Sequence, residues 1–417
     1  MLCQFSIKNY RSFQGEATLD LQATNITEHE AEILVDSNDG DKYLPLAVIY
    51  GPNGSGKSNI IAALYSLISK IKRPICAACD RKDCSGLLKR KEQIVPFKFN
   101  ITSSEQPTTF ELFFKTEKNE YKYNLSVKDE IVIFESLFMR DLNQKKIIEI
   151  FTREFKVEKG IFLNNNIFKD INITEISNTL PLLSYLGITH KDMKVVSDVL
   201  KWLENGIEII NYGNPLTEST ISIFKSKKAR KLFLQMIKEM DIDIEDFRVE
   251  DEKEDNIKIF TKHIVNDLEK ELDLGDESRG TIKLFGLLPV IIDSILSGSA
   301  LVVDELDSKL HPKLLEYIIN LYRDPKKNKK GAQLIFTSHD LMTMTPELFR
   351  RDEIWFTAKN VEQASQLYSL VEFKKENGKQ PRKDEKYGKQ YLEGRYGADP
   401  YLNRMINWEE LYESQEN

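Results

Sequence analysis

Cysteine is scarce in this chain: four residues among 417. A disulfide framework holding so long a chain together is excluded, which points to a reducing compartment. Long hydrophobic runs are missing as well. No stretch approaches the ~18 consecutive apolar residues of a membrane span, and the opening Met1-Leu2-Cys3-Gln4-Phe5-Ser6-Ile7-Lys8 lacks the organisation of a signal peptide. A cytoplasmic protein with no membrane partner is therefore expected. Positive charge is not in excess either. With 59 Lys and Arg against 66 Asp and Glu, the net charge is -7, so any contact with nucleic acid must come from a local patch. Sustained heptads are absent from residues 176–240, which excludes a long coiled coil. What the chain does have is 41% hydrophobic residues, enough at this length for a large core divided among two or three domains.

The octapeptide Gly51-Pro52-Asn53-Gly54-Ser55-Gly56-Lys57-Ser58 satisfies the P-loop pattern G-x-x-x-x-G-K-[ST] at every fixed position. Leu46-Ala47-Val48-Ile49-Tyr50 reads as a short buried strand before it, and Ile60-Ile61-Ala62-Ala63-Leu64-Tyr65 opens a helix after it. Strand, glycine turn and helix place backbone N–H groups at a helix N-terminus, where the dipole favours anions. ATP is the expected ligand. Gly51, Asn53, Gly54, Gly56 and Asn59 would surround its phosphates, Lys57 would reach the β and γ groups, and the Ser58 hydroxyl would ligate Mg²⁺. A chance glycine-rich turn is the bland alternative, and it gives no reason for the matching strand and helix.

Far down the chain, Ala300-Leu301-Val302-Val303-Asp304-Glu305 is an apolar strand tipped by two carboxylates. In an open α/β sheet its last residues stand at the carboxyl edge, where ligands bind. Asp304 would then hold Mg²⁺ through water, and Glu305 would orient or deprotonate the attacking water. Asp304 follows Ser58 by 246 residues, far more than one or two βαβ units at ~30 residues each. A long insertion must separate the two halves of the site.

This arrangement resembles the ATP-binding-cassette (ABC) type of head, as in SMC and RecF proteins. Glu277-Ser278-Arg279-Gly280-Thr281 is similar to the signature loop of that class, Asp307-Ser308-Lys309-Leu310-His311-Pro312 to its D-loop, and Gln333-Leu334-Ile335-Phe336-Thr337-Ser338-His339-Asp340 to the strand that ends in its switch histidine. Singly, Ser278 reads as a helix cap and His339 as a polar strand end. The order of the pieces is what makes the resemblance specific. Phe5-Ser6-Ile7-Lys8-Asn9-Tyr10-Arg11-Ser12-Phe13 is similar to the opening strand of SMC, RecF and OLD-family ATPases. Pro107-Thr108-Thr109-Phe110-Glu111-Leu112 and the late Tyr391-Leu392-Glu393-Gly394-Arg395-Tyr396-Gly397-Ala398-Asp399-Pro400 look like the RloA/AbiL group of AAA ATPases found in anti-phage systems. The resemblance implies that Ser278 and Gly280 of one copy close over nucleotide held by another, giving a homodimer or higher even oligomer. It also implies that His339 contacts the γ-phosphate. A clear Q-loop is missing, and Gln93 is a weak candidate for it.

The expected fold class is α/β: a mixed sheet flanked by helices, an antiparallel β lobe and an inserted, mainly helical subdomain. The lobe is predicted from alternation over residues 99–138, and the helices from the spacing of Met193, Val196, Val199, Leu200 and Leu203. Residues 1–150 form the first ATPase lobe, 151–255 a helical lid returned to the head by an acidic linker, 256–370 the second lobe and 371–417 a tail. Two basic clusters, at 225–231 and 326–330, could meet nucleic-acid phosphates, but neither interleaves aromatics and both read better as solvated surface. Cys76-x-x-Cys79-x-x-x-x-Cys84 has spacing suited to zinc but lacks a local fourth thiolate, so free thiols are the preferred reading. With residues 371–417 read as a tail, no Toprim nuclease domain like that of OLD proteins is expected after the head. An effector nuclease or toxin is accordingly expected as a separate protein. Two other readings stay open: a RecF-like DNA-repair ATPase without a toxin, and a scaffold that binds ATP with little turnover.

Overall fold

A computed structural model describes residues 1–78, 93–144, 146–156, 160–165, 176–210, 224, 226–252, 256–374 and 380–398. The chain opens with strands β1 (Leu2–Lys8) and β2 (Ala17–Asp20), a short pair β3 (Leu34–Val35) and β4 (Lys42–Tyr43), then β5 (Leu46–Tyr50) and helix α1 (Lys57–Ala78). After α2 (Ile101–Ser104) come β6 (Thr108–Lys115), β7 (Asn119–Lys128), β8 (Ile131–Asp141), β9 (Ile147–Lys156) and β10 (Gly160–Asn165). Next are α3 (Leu182–Thr189), α4 (Lys194–Asn205), β11 (Ile207–Ile210), α5 (Lys227–Glu239), β12 (Asp246–Glu252), β13 (Asn256–Val265) and β14 (Leu268–Asp273). The remainder is α6 (Arg279–Ser297), β15 (Ala300–Val303), α7 (Pro312–Arg323), β16 (Gln333–Thr337), β17 (Ile354–Lys359), β18 (Ser365–Ser369) and α8 (Tyr387–Leu392).

Two large sheets result. One is antiparallel, in the order β10-β9-β8-β7-β6-β1-β2, and the other runs β11-β15-β16-β5-β17-β18. In the second sheet β11, β15, β16, β5 and β17 pair in parallel, and β18 closes the edge antiparallel. Strands β5, β15 and β16 are buried at every residue, as expected of parallel strands covered on both faces. Their alternation is visible only in what each side touches. Ala47 and Ile49 join a core with α1, α3, α4 and the antiparallel lobe, whereas Leu46, Val48 and Tyr50 join a core with α5, α6 and α7. β6 and β7 alternate buried and half-buried residues as predicted for one-sided strands. A bidentate pair ties the two sheets: the Leu2 amide donates to Gln333 Oε1 at 2.8 Å, and Gln333 Nε2 donates back to the Leu2 carbonyl at 3.0 Å.

The middle of the chain departs from the predicted helical lid. β9 runs across the boundary expected at residue 150, and α3 and α4 pack Leu182, Leu186, Val196 and Trp202 into the first core instead of standing apart. Buried Glu135 on β8 fixes that docking, because its carboxylate accepts from the Leu182 and Leu183 amides at 2.5 and 2.9 Å, capping α3. β11 then enters the central sheet beside β15. The expected acidic linker contains a strand, β12, in a three-stranded sheet with β13 and β14. Phe247 is buried there, and Arg230 pairs with Asp246 at 2.7 Å, so the acids do not keep the segment in solvent. Helix α6 is long and apolar enough to cross a membrane, yet 61% of its apolar window is buried inside the protein. It serves as a core helix.

Candidate functional site

The loop 51–58 joins the carboxyl end of β5 to the first turn of α1, and its glycines are required by close approach. A Cβ on Gly51 would lie 2.4 Å from Thr357 Oγ1; one on Gly56, at φ +110°, would lie 2.6 Å from Ser365 Oγ and 2.9 Å from Ser12 Oγ. The β17–β18 hairpin clamps the loop through hydroxyls. Ser55 Oγ and Thr357 Oγ1 are 2.6 Å apart, and Ser365 Oγ donates to the Ser55 carbonyl at 2.6 Å. Asn53 and Gly54 stay exposed at the tip, while Asn59 turns away to donate to Ser12 Oγ at 2.8 Å.

Lys57 is buried, and its ammonium folds back to donate to the carbonyls of Gly51 at 2.7 Å and Pro52 at 3.2 Å. Burial pulls its pKa down to about 8, against the opposing pull of Asp304, Glu305 and Asp307. Ser58 Oγ donates to Asp304 Oδ1 at 3.1 Å, and Thr337 Oγ1 donates to the same oxygen at 2.6 Å. The Thr337 hydroxyl in turn accepts from the Glu305 amide at 2.7 Å. Glu305 sits at φ +51°, a left-handed conformation uncommon for a side chain of its length. The His339 amide donates to Asp307 Oδ2 at 3.0 Å. Burial and the nearby Lys57 charge hold the His339 pKa below the usual histidine value, which favours the neutral ring. Asp307 Oδ1 is buried without a hydrogen-bond partner among the described residues.

Lys57, Ser58, Asp304, Glu305 and His339 therefore converge, and Ser278 and Gly280 do not join them. Ser278 caps α6, accepting from the Thr281 amide at 3.1 Å. A Cβ on Gly280 would sit 3.2 Å from the Lys309 carbonyl. Among the described residues neither forms a hydrogen bond to the loop 51–58. Instead Lys283 on α6 donates to the carbonyls of Glu305, Leu306 and Ser308 at 3.0, 2.8 and 2.7 Å. Sequence reasoning missed Thr337, Thr357, Ser365 and Lys283, since isolated hydroxyls and one lysine in an apolar helix carry no motif.

Cys76 is buried near the end of α1, and Cys79 and Cys84 lie outside the described residues. No group of three or more metal ligands occurs among the described residues. Gln93 is exposed. In the basic cluster at 326–330, buried Asn328 is structural, bonding to Tyr322 and Ala332, while the lysines face solvent. In the other cluster Lys225 lies outside the described residues, and Arg230 is engaged by Asp246.

The donor set suits Mg²⁺, because Ser58 and Asp304 offer a hydroxyl and a carboxylate, hard oxygen ligands. The loop fits phosphate, because glycines keep its backbone open and a lysine stands within it. A glycine loop on a parallel strand, faced across one intervening strand by an acid-tipped strand, defines a P-loop ATPase fold. A family profile described as "AAA domain, putative AbiEii toxin, Type IV TA system" matches residues 46–344. The match spans well over half of the chain, which belongs to this AAA-domain family. None of the curated proteins matches the chain in sequence. Among solved structures it is similar to the SMC head domain from Thermotoga maritima, at 16% identity and a TM-score of 0.39 over 88% of this chain and 98% of that one. It is also similar to an SmcHead bound to the C-winged helix domain of ScpA, at 12% identity and a TM-score of 0.42 over 88% and 97%. Likenesses at that level carry no argument, and the fold rests on the strand order.

Proposed function

We propose that the chain binds and hydrolyses ATP as an ABC-type ATPase of the RloA/AbiL kind. It dimerises around nucleotide and serves as the sensor or regulatory subunit of a cytoplasmic anti-phage defence complex whose effector is a separate protein. The hydrogen-bonded set Ser58–Asp304–Thr337–Glu305 carries this reading, because it gathers a metal-binding pair and a water-activating carboxylate beside a phosphate loop. Gly51, Asn53, Gly54, Gly56, Lys57, Ser58 and Asn59 belong to the nucleotide-binding half. Ser58 and Asp304 would hold Mg²⁺, which neutralises phosphate charge when bound. Glu305 takes a proton from the attacking water, and His339 donates to the γ-phosphate. Ser278 and Gly280, which form no hydrogen bond to their own loop among the described residues, would complete the site on a second copy. The two ATPase lobes are residues 1–210, the first carried past the expected boundary at 150 by β9, α3, α4 and β11, and residues 256–370, followed by residues 371–417. The family description's mention of a toxin and a type IV TA system supports the defence role.

Phosphate release and sedimentation, each with and without ATP and Mg²⁺, test the core of this reading. Turnover with an ATP-dependent rise in mass is expected; a chain that stays monomeric and releases no phosphate refutes it. For the defence role, loss of protection from phage in a Lys57→Ala strain is the expected result.

A further inference from the structure

The roles above leave the late segment around α8 unused, yet α8 bears on the loop that carries His339. The Gly388 amide donates to the Met344 carbonyl at 3.2 Å, and a Cβ on Gly388 would lie 2.6 Å from the Leu341 carbonyl oxygen. Helix and loop therefore touch backbone to backbone, at a separation that no residue with a Cβ allows. One turn further on, α8 is anchored to β17, the neighbour of β5. Buried Tyr391 stacks on Phe356, with ring centroids 5.6 Å apart and planes 11° apart. Tyr396 packs on the same ring at 5.4 Å, and its carbonyl accepts from Tyr368 Oη at 2.5 Å.

The loop itself is braced from within. Asp340 takes the amides of Met342 and Thr343 at 3.1 and 3.2 Å, and Ser338 Oγ takes the Asp340 amide at 2.9 Å. A cavity of about 170 Å³ separates the parts, with Pro52, Asn53, His339, Leu341, Tyr391 and Leu392 in its walls. One face belongs to the phosphate loop, one to the histidine loop and one to α8.

We infer that α8 is a positioning element of the nucleotide site: the seat of Gly388 on Leu341 sets where His339 stands relative to residues 51–53. Gly388 and Tyr391 are then positioning residues, acting through the loop 338–344. This rests on the ATPase reading of the site.

Gly388→Ala in the full chain is the direct test. Alanine is the better helix former, so the change favours α8 itself and disturbs only its seat. Hydrogen exchange at amides 339–344 of the nucleotide-free chain should quicken by about tenfold while β5 and β15 stay protected. ATP turnover should fall by roughly tenfold to a hundredfold at little changed KM. Tyr391→Leu, which removes the anchor and not the seat, should reproduce both effects if Gly388→Ala folds poorly. Unchanged exchange at 339–344 overturns the inference whatever the turnover does. Faster exchange with unaltered kcat overturns it too, since the position of His339 would then not matter. A wild-type chain that hydrolyses no ATP refutes the ATPase reading instead, and exchange alone then decides whether α8 seats the loop.

Discussion

Ser58 and Asp304 meet across a 3.1 Å hydrogen bond although 246 positions separate them in the chain. One begins α1 and the other follows β15, and the sheet order β15-β16-β5 leaves one strand between them. Thr337, at the end of that intervening strand, donates to the same Asp304 oxygen at 2.6 Å and closes the gap. The long insertion is thus accommodated without parting the two halves of the site.

Glu305 follows Asp304 directly, so the proposal assigns different losses to the two carboxylates. Glu305→Gln should bind ATP with near wild-type affinity and release phosphate roughly 10²- to 10⁴-fold more slowly, the usual contribution of a general base. Asp304→Ala should instead lose the Mg²⁺ dependence of ATP binding. Phosphate release from Glu305→Gln at the wild-type rate would remove Glu305 from the mechanism.

Lys57 ties binding to pH. Its folded pKa of about 8 lies below the ordinary lysine value of 10.5 because the ammonium is buried. Above pH 8 the free site carries a neutral amine, and phosphate must restore the proton. ATP affinity should therefore weaken by up to about tenfold per pH unit above 8, with proton uptake on binding. Titration calorimetry in two buffers of different ionisation enthalpy measures that uptake; identical heats at pH 8.5 would contradict it.

Gly56, like Gly51, has no room for a side chain. At φ +110° an alanine is strained by about 1–2 kcal/mol, and its Cβ would push Ser365 and Ser12 away from the loop. Gly56→Ala should unfold at lower temperature and lose ATP binding, whereas Gly54→Ala, also strained at φ +76° but with nothing within 4 Å of its Cβ, should leave the Ser365 and Ser12 contacts in place. Equal ATP affinity in Gly56→Ala and the wild type would show that the clamp is dispensable.

The phosphate loop and the acid-tipped strand were legible because each is contiguous: eight residues and six residues spell out their own local structure. The antiparallel lobe was legible through alternation in β6 and β7. β12 was not, because acids at 246, 250, 251 and 252 mask an alternation in which only Phe247 and Val249 are apolar, and the pairing of Arg230 with Asp246 cannot be seen in one dimension. β11 offers four residues, too few to show a period beside the helix that precedes it. The hydroxyl clamp was invisible for another reason. Thr337, Thr357 and Ser365 act only because sheet order brings their strand ends around one loop, and strand order is not a local property.

Glu353, buried where β17 begins, accepts from the Arg350 amide at 2.8 Å, and burial raises its pKa to about 8. The unfolded carboxyl titrates near 4.5, so between pH 4.5 and 8 the folded chain holds a proton that the unfolded chain has released. Stability is gained in full below pH 4.5 and falls as pH rises toward 8, by on the order of a few kcal/mol. Glu353→Gln keeps an acceptor and cannot ionise. Its melting temperature should drop less than the wild type's between pH 5 and pH 8, and parallel curves would refute the assignment.

Lys283 joins the signature-like helix to the turn that carries Glu305. Three carbonyls, of Glu305, Leu306 and Ser308, converge on one ammonium, and burial lowers its pKa to about 8. Methionine at this position fills a similar volume and donates to none of them. Lys283→Met should lose about 1–3 kcal/mol of stability from unsatisfied carbonyls. If the turn sets the position of Glu305, turnover should also fall roughly tenfold or more while ATP still binds, because Lys57 and Ser58 are untouched. A milder form of the same loss should appear in the wild type above pH 8, where a neutral amine keeps two N–H donors for three acceptors. Lower stability with full turnover would make Lys283 a structural pin; loss of both, with binding intact, would make it the link through which α6 holds Glu305 in place.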